Sequence, residues 1–172
     1  NKYTVELIIM NRTPQYLGEK LKREVKIHYV PERIKNPLGY NCRVNEIVKK
    51  GNYDILWCNF CTLSDITWLK AAKKYGIPVR IAHSHNSENM GSKLVLISHL
   101  QHKKAISKYV THFFACSDVA GKFMFGDNIV KQNNYCLINN AIETDKYSYN
   151  ENIRMKTRLD LKISDKIVIT NV

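Results

Sequence analysis

Residues 54–87 read DILWCNFCTLSDITWLKAAKKYGIPVRIAHSHNS and contain one strand–helix–strand pattern. Residues 54–60 form a short apolar run that is typical of a buried strand. The next segment carries apolar residues at i, i+3, i+4 and i+7, namely Trp68, Ala71, Ala72 and Tyr75. This spacing predicts a helix, which Gly76 ends, and residues 78–82 predict a second strand. Two strands joined by a helix in this way predict a right-handed βαβ unit with parallel strands.

The same alternation of strand and helix patterns continues along the rest of the chain. Further strands are predicted at 3–10, 25–30, 111–116 and 135–138, and from residue 166 onward. Further helices are predicted at 13–23, 41–51, 93–110, 117–126 and 151–161, with Asn41, Ser64 and Ser117 as N-cap residues. The pattern therefore predicts an α/β domain, a parallel sheet flanked by helices on both faces.

Composition favours a basic globular domain. The 172 residues include 27 Lys and Arg against 15 Asp and Glu, which gives a net charge of +12. A field of this sign attracts nucleic acid, anionic lipid or phosphorylated substrates, although a lysine-rich surface also serves solubility alone. The five cysteines lie in apolar runs or alone, so we expect no disulfide framework and a reducing cytoplasm. Cys58 and Cys61 have the spacing of half a metal or redox motif, but no second pair accompanies them, and we expect small buried thiols at these two positions. No apolar run is long enough to span a bilayer.

Three polar segments follow predicted strands, where open parallel sheets bind ligands. They are residues 82–87, 116–118 and 139–143. The first holds His83 and His85 in a polar loop and offers hydrogen bonds and a proton acceptor. No third ligand has suitable spacing, so we predict no metal. Glycine-rich phosphate loops and recognisable nucleic-acid modules are lacking, which argues against a stand-alone nucleotide site.

Three segments resemble motifs of bacterial capsular and exopolysaccharide glycosyltransferases, in that family's order and at compatible spacing. They are IPVRIAHSHNS at 77–87, FACS at 114–117 followed by AGK and FG, and LINNAIE at 137–143 followed by Tyr147. These enzymes belong to the retaining family 4 and have the two-domain GT-B fold. Ala141 stands where the family has glycine, and Glu143 where it has aspartate.

The resemblance implies a domain organisation. Residues 1–150 would be the Rossmann-like, acceptor-binding N-terminal domain without the family's first strand and helix. Residues 151–165 would be a linker helix, and residues 166–172 the first strand of a donor-binding domain. A start without methionine and an end inside an apolar stretch agree with a chain that is incomplete at both ends. We therefore expect the chain to be inactive by itself.

The resemblance also implies an activity: transfer of a hexose, with retained configuration, from a nucleotide sugar to a saccharide or lipid-linked saccharide in the synthesis of capsule, exopolysaccharide or another cell-surface glycan. The nucleotide sugar would be a substrate bound mainly by the donor domain, and no cofactor is implied. His83 and His85 both remain candidates for the histidine at the reacting sugar. The expected substrate-binding residues are Asn86 and Ser87 on the acceptor side, Ser117, and Asn140 and Glu143 at the interdomain cleft.

Such enzymes work in the cytoplasm, often at the inner face of the cell membrane. We expect one basic set of side chains to contact anionic lipid headgroups. It consists of Lys93, Lys103, Lys104, Lys108, His99 and His102. An alternative is a non-enzymatic Rossmann-like domain that binds nucleic acid or another polyanion through its lysines, and a third is a GT-B sugar-nucleotide epimerase. The transferase interpretation predicts no nucleic-acid partner, and the sequence leaves the oligomeric state open.

Overall fold

The computed structural model describes residues 3–10, 23–89 and 91–169, apart from the side chain of Met10. The chain divides into two compact units, residues 1–139 and 140–172. The first unit contains the strands β1 (Glu6–Met10), β2 (Lys26–Val30), β3 (Ile55–Phe60), β4 (Val79–Ser84), β5 (His112–Ala115) and β6 (Tyr135–Leu137). Its helices are α1 (Pro37–Gly51), α2 (Thr67–Lys74), α3 (Lys93–Ala105) and α4 (Asp118–Phe125).

All strand pairs in the described part of the chain are parallel. Strands β1 and β2 form a two-stranded sheet, and the other strands form a four-stranded sheet in the order β3-β4-β5-β6. Each connection within the larger sheet contains a helix, as parallel pairing requires. The α/β prediction with a helix-flanked parallel sheet is confirmed.

The hydrophobic core lies on one face of the four-stranded sheet. Leu56, Ala82 and Phe113 point to this face, and they cluster with buried side chains of α1, α2 and α4. On the opposite face Ile55 and Trp57 are each 50% exposed. Over β3, therefore, the described helices cover one face only, whereas the sequence predicted cover on both.

Two helices begin at residues other than those predicted. Helix α1 starts at Pro37 and not after Asn41, because Asn36 Oδ1 accepts the backbone N–H of Gly39 at 2.8 Å and proline fits the first helical position. Helix α2 starts at Thr67 and is not capped by Ser64. The N-cap residue is Ile66, whose side chain makes no capping hydrogen bond, and Asp65 Oδ1, one residue earlier, accepts the N–H of Thr67 at 2.9 Å.

Two further boundaries differ from prediction. Strand β4 continues through Ser84, which places His83 in the sheet and not in the loop after it. Helix α3 ends at Ala105 and is followed by a 3₁₀ turn, Ile106–Lys108. The helix predicted at 13–23 lies outside the described residues except for Arg23.

The second unit contains a 3₁₀ turn, Thr144–Tyr147, and helix α5 (Glu151–Asp160). The Asn150 side chain caps α5 by accepting the N–H of Ile153 at 3.1 Å. The predicted charged helix is thus confirmed. Residues 166–169, which are described up to Ile169, form no strand, in contrast to the prediction for this segment.

Candidate active site

A row of side chains crosses the four-stranded sheet near the carboxyl ends of its strands. The register pairs Asn59 of β3 with His83 of β4, and His83 with Phe114 of β5. Residues paired in this way point to the same face of a sheet. This is the face on which Trp57 is half exposed, so the row lies beside solvent and not in the core.

Aromatic rings surround His83. Its ring centroid lies 5.8 Å from that of Trp57, 6.1 Å from that of Phe114 and 4.2 Å from that of His85. Trp57 and Phe114 also meet edge to face at 5.4 Å. We call Trp57, Asn59, His83, His85 and Phe114 the histidine cluster. Its rings hold the His83 imidazole in one place.

His83 is a neutral hydrogen-bonding group without a partner among the described residues. It is 6% exposed, and its Nε2 atom is buried and makes no hydrogen bond within the described part of the chain. Burial lowers the pKa of His83 because it disfavours the charged imidazolium, and the nearby His85 lowers it further. A neutral imidazole can either donate or accept a hydrogen bond, so His83 can donate a hydrogen bond to a polar ligand or accept one from it.

His85 is oriented by Asn59. Its Nε2 atom lies 2.9 Å from Asn59 Oδ1. An amide oxygen only accepts hydrogen bonds, so the Nε2 atom of His85 carries the proton and Nδ1 is the acceptor in the neutral ring. The backbone N–H of His85 also donates to the Phe60 carbonyl at 3.0 Å, which continues the ladder past the end of β4.

Helix α4 is attached to the end of β4. The buried Ser84 hydroxyl donates to the Ala120 carbonyl at 2.9 Å. Ser117 Oγ accepts the N–H of Ala120 at 3.2 Å, which confirms Ser117 as the N-cap of α4. The N–H of Cys116 donates to the Ser84 carbonyl at 3.0 Å. These bonds hold the first turn of α4 next to the strand that carries His83.

The structure brings together some of the predicted site residues. His83 and His85 are in ring contact, and Asn86 and Ser87 follow them directly, half-buried and exposed respectively. Asn140 and Glu143 belong to the second unit, where both are exposed and Glu143 forms an ion pair with Lys146. The substrate roles assigned to these residues stay predictions.

Three members of the histidine cluster were missed by the sequence analysis: Trp57, Asn59 and Phe114. The segment 54–60 was interpreted as a wholly buried strand, whereas its burial alternates, with Leu56 and Phe60 buried and Ile55, Trp57 and Asn59 exposed. Ile55, Trp57 and Asn59 occupy every second position of the strand and so share one face. The polar Asn59 in this series was the signal that this face is exposed.

The cysteines differ from prediction in part. Cys58 is half-buried, and burial raises the pKa of its thiol to about 12, which makes it unreactive. Cys61, however, is exposed, so the prediction of a buried thiol is wrong for it. Cys42 and Cys136 are exposed as well. Within the described ranges no three His, Cys, Asp or Glu side chains are close enough together to hold a metal ion.

The basic set predicted to contact lipid headgroups is only partly at the surface. His99 is buried, and its Nδ1 atom accepts the N–H of Leu63 at 3.1 Å. Lys103 Nζ donates to the carbonyls of Lys122 and Phe123 at 3.0 and 2.6 Å, at the end of α4. His99 and Lys103 are therefore structural, and the prediction is wrong for them.

A second polar cluster lies where β1 and β2 begin. Glu6 Oε2 accepts hydrogen bonds from Tyr53 OH at 2.5 Å and His28 Nε2 at 2.6 Å, and Lys26 Nζ lies 3.0 Å from Oε1. These bonds, that from Tyr53 above all, lower the pKa of Glu6 to about 2. The cluster borders a shallow cavity of about 170 Å³ beside α1. This second cluster lies at the amino ends of β1 and β2, whereas the histidine cluster lies near the carboxyl ends of β3, β4 and β5. We interpret the second cluster as structural.

Comparison with known proteins gives one informative similarity. No family model matches the chain, and no solved structure matches it significantly. The chain is similar to the "Putative glycosyltransferase EpsF" of Bacillus subtilis (strain 168), with 28% identity over 142 residues. The match covers 78% of this chain and 36% of that relative, so the chain spans about a third of the relative's length.

This similarity and the parallel α/β architecture together support a glycosyltransferase relationship at a general level. All helices in the described ranges are too short or too polar to cross a lipid bilayer. The similarity region is long enough to include most of the first unit, since it covers 78% of the chain.

Proposed function

We propose that this chain is the acceptor-side, Rossmann-like domain of a retaining family 4 glycosyltransferase with the GT-B fold. The enzyme transfers a hexose from a nucleotide sugar to a saccharide or lipid-linked saccharide, in the synthesis of capsule, exopolysaccharide or another surface glycan. The observation that carries the proposal is the position of His83. Its neutral imidazole, with Nε2 unpaired among the described residues, lies at the carboxyl end of a parallel strand, where open sheets bind ligands.

The histidine cluster has the chemistry to bind a sugar. A neutral imidazole can hydrogen-bond a hydroxyl as donor or acceptor, and the half-exposed Trp57 offers an apolar ring beside it. One of His83 and His85 contacts the reacting sugar, and Asn59 fixes the orientation of His85. Asn86, Ser87 and Ser117 supply further polar groups to substrate.

The leaving nucleotide diphosphate needs positive or hydrogen-bonding groups to stabilise its charge. We assign that role to a donor-binding domain, so the nucleotide sugar is a substrate of the whole enzyme and no cofactor is needed. The enzyme would act in the cytoplasm, with the inner membrane face as the source of lipid-linked acceptors. The net charge of +12 would favour such anionic acceptors.

The test is a transfer assay with the full-length product of the gene. It uses a panel of labelled nucleotide hexoses and lipid extracts of the native host as acceptors, and NMR of the product reports the anomeric configuration. We compare His83→Ala and His85→Ala with His112→Ala, which removes an exposed imidazole from β5 of the same sheet.

One of the first two variants should lose about 100-fold or more in kcat, as expected when a group acting on the reacting sugar is removed. His112→Ala should stay close to the unchanged enzyme. Full activity of both His83→Ala and His85→Ala would refute the proposed site. An inverted product would refute the retaining assignment, and salt-sensitive binding to unrelated DNA without any transfer would favour the polyanion-binding alternative.

A further inference from the structure

The loops that follow β2 and β3 meet at one edge of the first unit. Residues 31–36 follow β2, residues 61–66 follow β3, and Arg33 Nε lies 3.6 Å from Asp65 Oδ2 where the two loops come together. This edge is formed by the carboxyl ends of the strands, beyond which open parallel sheets bind ligands. The histidine cluster lies near the same end of β3. The two loops are therefore well placed to contact a substrate.

A cavity of about 340 Å³ lies at these loops and at the helices that follow them, and we call it the Arg33 cavity. Its lining combines a guanidinium, an amide and a hydroxyl with two apolar side chains. The lining residues are Arg33, Ile34, Pro37, Asn41 and Thr67. Ligand pockets have volumes of about 300 to 1,000 Å³ and combine apolar walls with a few polar groups. The Arg33 cavity is thus large enough for one small ring with polar substituents.

Arg33 brings unused hydrogen-bond donors to this cavity. Its distance of 3.6 Å to Asp65 is longer than a hydrogen bond, and nothing in the described part of the chain accepts a hydrogen bond from its guanidinium. Arg43 and Arg80, in contrast, donate to oxygen acceptors at 2.8 and 2.7 Å. A guanidinium carries five N–H donors in a planar fork that matches a carboxylate. Arg33 can therefore bind an anionic ligand without giving up a hydrogen bond within the described residues.

Asp65 fixes a negative charge beside Arg33. Its Oδ2 atom accepts a hydrogen bond from Tyr40 OH at 2.8 Å, and Tyr40 is buried. Its Oδ1 atom accepts the backbone N–H and the hydroxyl of Thr67 at 2.9 and 2.6 Å. These three hydrogen bonds connect the carboxylate to α1 and α2. Asp65 can thus hold the Arg33 guanidinium near the cavity by charge alone and leave its N–H groups for a ligand.

We propose that the Arg33 cavity binds a carboxylate-bearing sugar unit, of the uronic acid class, in an acidic acceptor saccharide. Arg33 binds the carboxylate through its planar fork. The Asn41 amide and the Thr67 hydroxyl hydrogen-bond the ring hydroxyls. Ile34 and Pro37 contact the apolar C–H groups of the ring. This assignment rests on the proposed transferase function, since it names the acceptor of that enzyme.

Two related ligands fit the Arg33 cavity less well. A phosphate group brings up to two negative charges and would need a second cation, but Lys35 of the same loop is already paired with Glu32 at 2.9 Å. A neutral sugar would form weaker hydrogen bonds with a charged donor than a carboxylate does. A carboxylate carries a single negative charge, which Arg33 matches and which the net charge of +12 attracts.

NMR titration of the ¹⁵N-labelled chain tests the assignment. The probes are methyl glucuronide, methyl glucoside and glucose 6-phosphate, which carry a carboxylate, no charge and a phosphate on the same type of ring. We expect the glucuronide to bind at least about tenfold more tightly than the glucoside, because a hydrogen bond to a charged group is the stronger one. It should also bind more tightly than the phosphate. The side-chain N–H signals of Arg33 and Asn41 should shift as it binds.

Substitutions locate the binding. Arg33→Gln should weaken glucuronide binding at least about tenfold, to the level of the glucoside. Arg33→Lys keeps the charge without the fork and should lose part of the affinity. As a control, Arg23→Gln removes an exposed guanidinium elsewhere in the first unit and should bind like the unchanged chain.

A second variant keeps the test decisive if Arg33→Gln does not fold. Asn41 is exposed on α1, and alanine is a good helix former, so Asn41→Ala should leave the helix intact. It should weaken glucuronide binding about threefold, as expected for a lost neutral hydrogen bond. The backbone amide spectrum of each variant shows whether it is folded.

The outcomes separate this assignment from the proposed function, because the titration needs neither a sugar donor nor turnover. Equal binding of glucuronide and glucoside, tighter binding of glucose 6-phosphate, or an equal loss in Arg23→Gln would overturn the assignment. Glucuronide bound at Arg33 by a full-length enzyme that transfers no sugar would refute the transferase and keep the site. Transfer to neutral acceptors, without glucuronide binding, would refute the site alone.

Discussion

His99 accepts a hydrogen bond from the backbone N–H of Leu63, with 3.1 Å between Leu63 N and His99 Nδ1. An imidazole nitrogen accepts only when it carries no proton, so this contact requires neutral His99. One turn later, His102 Nδ1 lies 2.6 Å from the Leu63 carbonyl oxygen, an acceptor, so this nitrogen carries a proton. The two histidines of α3 therefore hold both backbone polar groups of Leu63.

We expect acid to weaken the attachment of α3 through His99. A protonated Nδ1 of His99 cannot accept the hydrogen bond from the N–H of Leu63, and the two N–H groups would repel each other. Burial lowers the pKa of His99, and the positive charges of Lys103 and His102 on the same helix lower it further; the backbone of Phe123, whose ring stacks on His99, has a smaller, opposite effect. In the unfolded chain His99 takes up a proton near pH 6.5, so below that pH the unfolded state binds more protons than the folded state does. The free energy of unfolding should therefore fall as pH drops below about 6.5.

Urea titrations at about pH 7.5 and about pH 5.5 measure this change. His99→Asn keeps an acceptor oxygen in place of Nδ1 but cannot titrate. It should cost about 1 to 2 kcal/mol at the higher pH through lost packing and should flatten the dependence on pH. His102→Asn serves as the control and should retain that dependence, because protonated His102 can still donate to Leu63. A His99→Asn chain with the original dependence would contradict the assignment.

The helix that carries His99 shows where sequence reasoning stops. Its apolar residues lie on two sides, so the hydrophobic pattern did not indicate which side faces the protein. The hydrogen bonds of Ser98, His99 and His102 to the loop after β3 decide this orientation, and their partners are 34 to 39 residues away. Such long-range polar contacts leave no local signal. The sequence therefore placed His99 at the lipid surface when it is buried.

The strands were easier to predict, since their alternation is local. β2 (Lys26–Val30) and β3 (Ile55–Phe60) each begin one residue after the predicted start. Within the histidine cluster, His83 and His85 could be identified as a polar pair after an apolar run. Asn59 could not be joined to them, because its place beside His83 depends on the register between β3 and β4.

Asn59 should control the tautomer of His85. The Nε2–H of His85 donates to Asn59 Oδ1 at 2.9 Å, so Asn59→Ala removes the only acceptor that the described residues give this proton. ¹⁵N NMR of the imidazole at neutral pH should show the Nε2–H form in the unchanged chain and a mixture of both tautomers in the variant. The exposed His112 gives the reference signal, which should not move. An unchanged His85 spectrum in Asn59→Ala would disprove the orienting role.

Glu6 should make stability sensitive to strong acid. Its pKa is lowered to about 2, first by the hydrogen bond from Tyr53 and then by that from His28. Because the folded value lies below the unfolded value of 4.5, the contribution is complete above pH 4.5 and is lost as pH falls toward about 2. Glu6→Gln should cost about 1 to 2 kcal/mol at neutral pH, after allowance for partial exposure, and remove this acid dependence.

Two partner variants rank the causes. Tyr53→Phe should reduce the acid dependence more than Lys26→Gln does, because the Tyr53 hydrogen bond has the largest effect and the Lys26 ammonium is largely exposed. Thermal unfolding at a series of pH values between about 2 and 5 separates them. The reverse order would show that the charge of Lys26, and not the short hydrogen bond, holds Glu6 ionised.

Gly121 and Tyr135 should behave as a coupled pair. A Cβ atom on Gly121 would lie 2.3 Å from the Tyr135 hydroxyl oxygen, which is buried and has no hydrogen-bond partner among the described residues. Gly121→Ala should therefore destabilise the first unit by about 2 kcal/mol through overpacking, despite alanine's better helix propensity in α4. Tyr135→Phe should be neutral or stabilising, since it removes a buried, unpaired hydroxyl.

In the Tyr135→Phe background the cost of Gly121→Ala should shrink, because the nearest remaining ring atoms are 3.0 Å away. A double-mutant cycle from urea unfolding measures this coupling, and purely additive effects would show that helix α4 shifts as a whole to admit the methyl group.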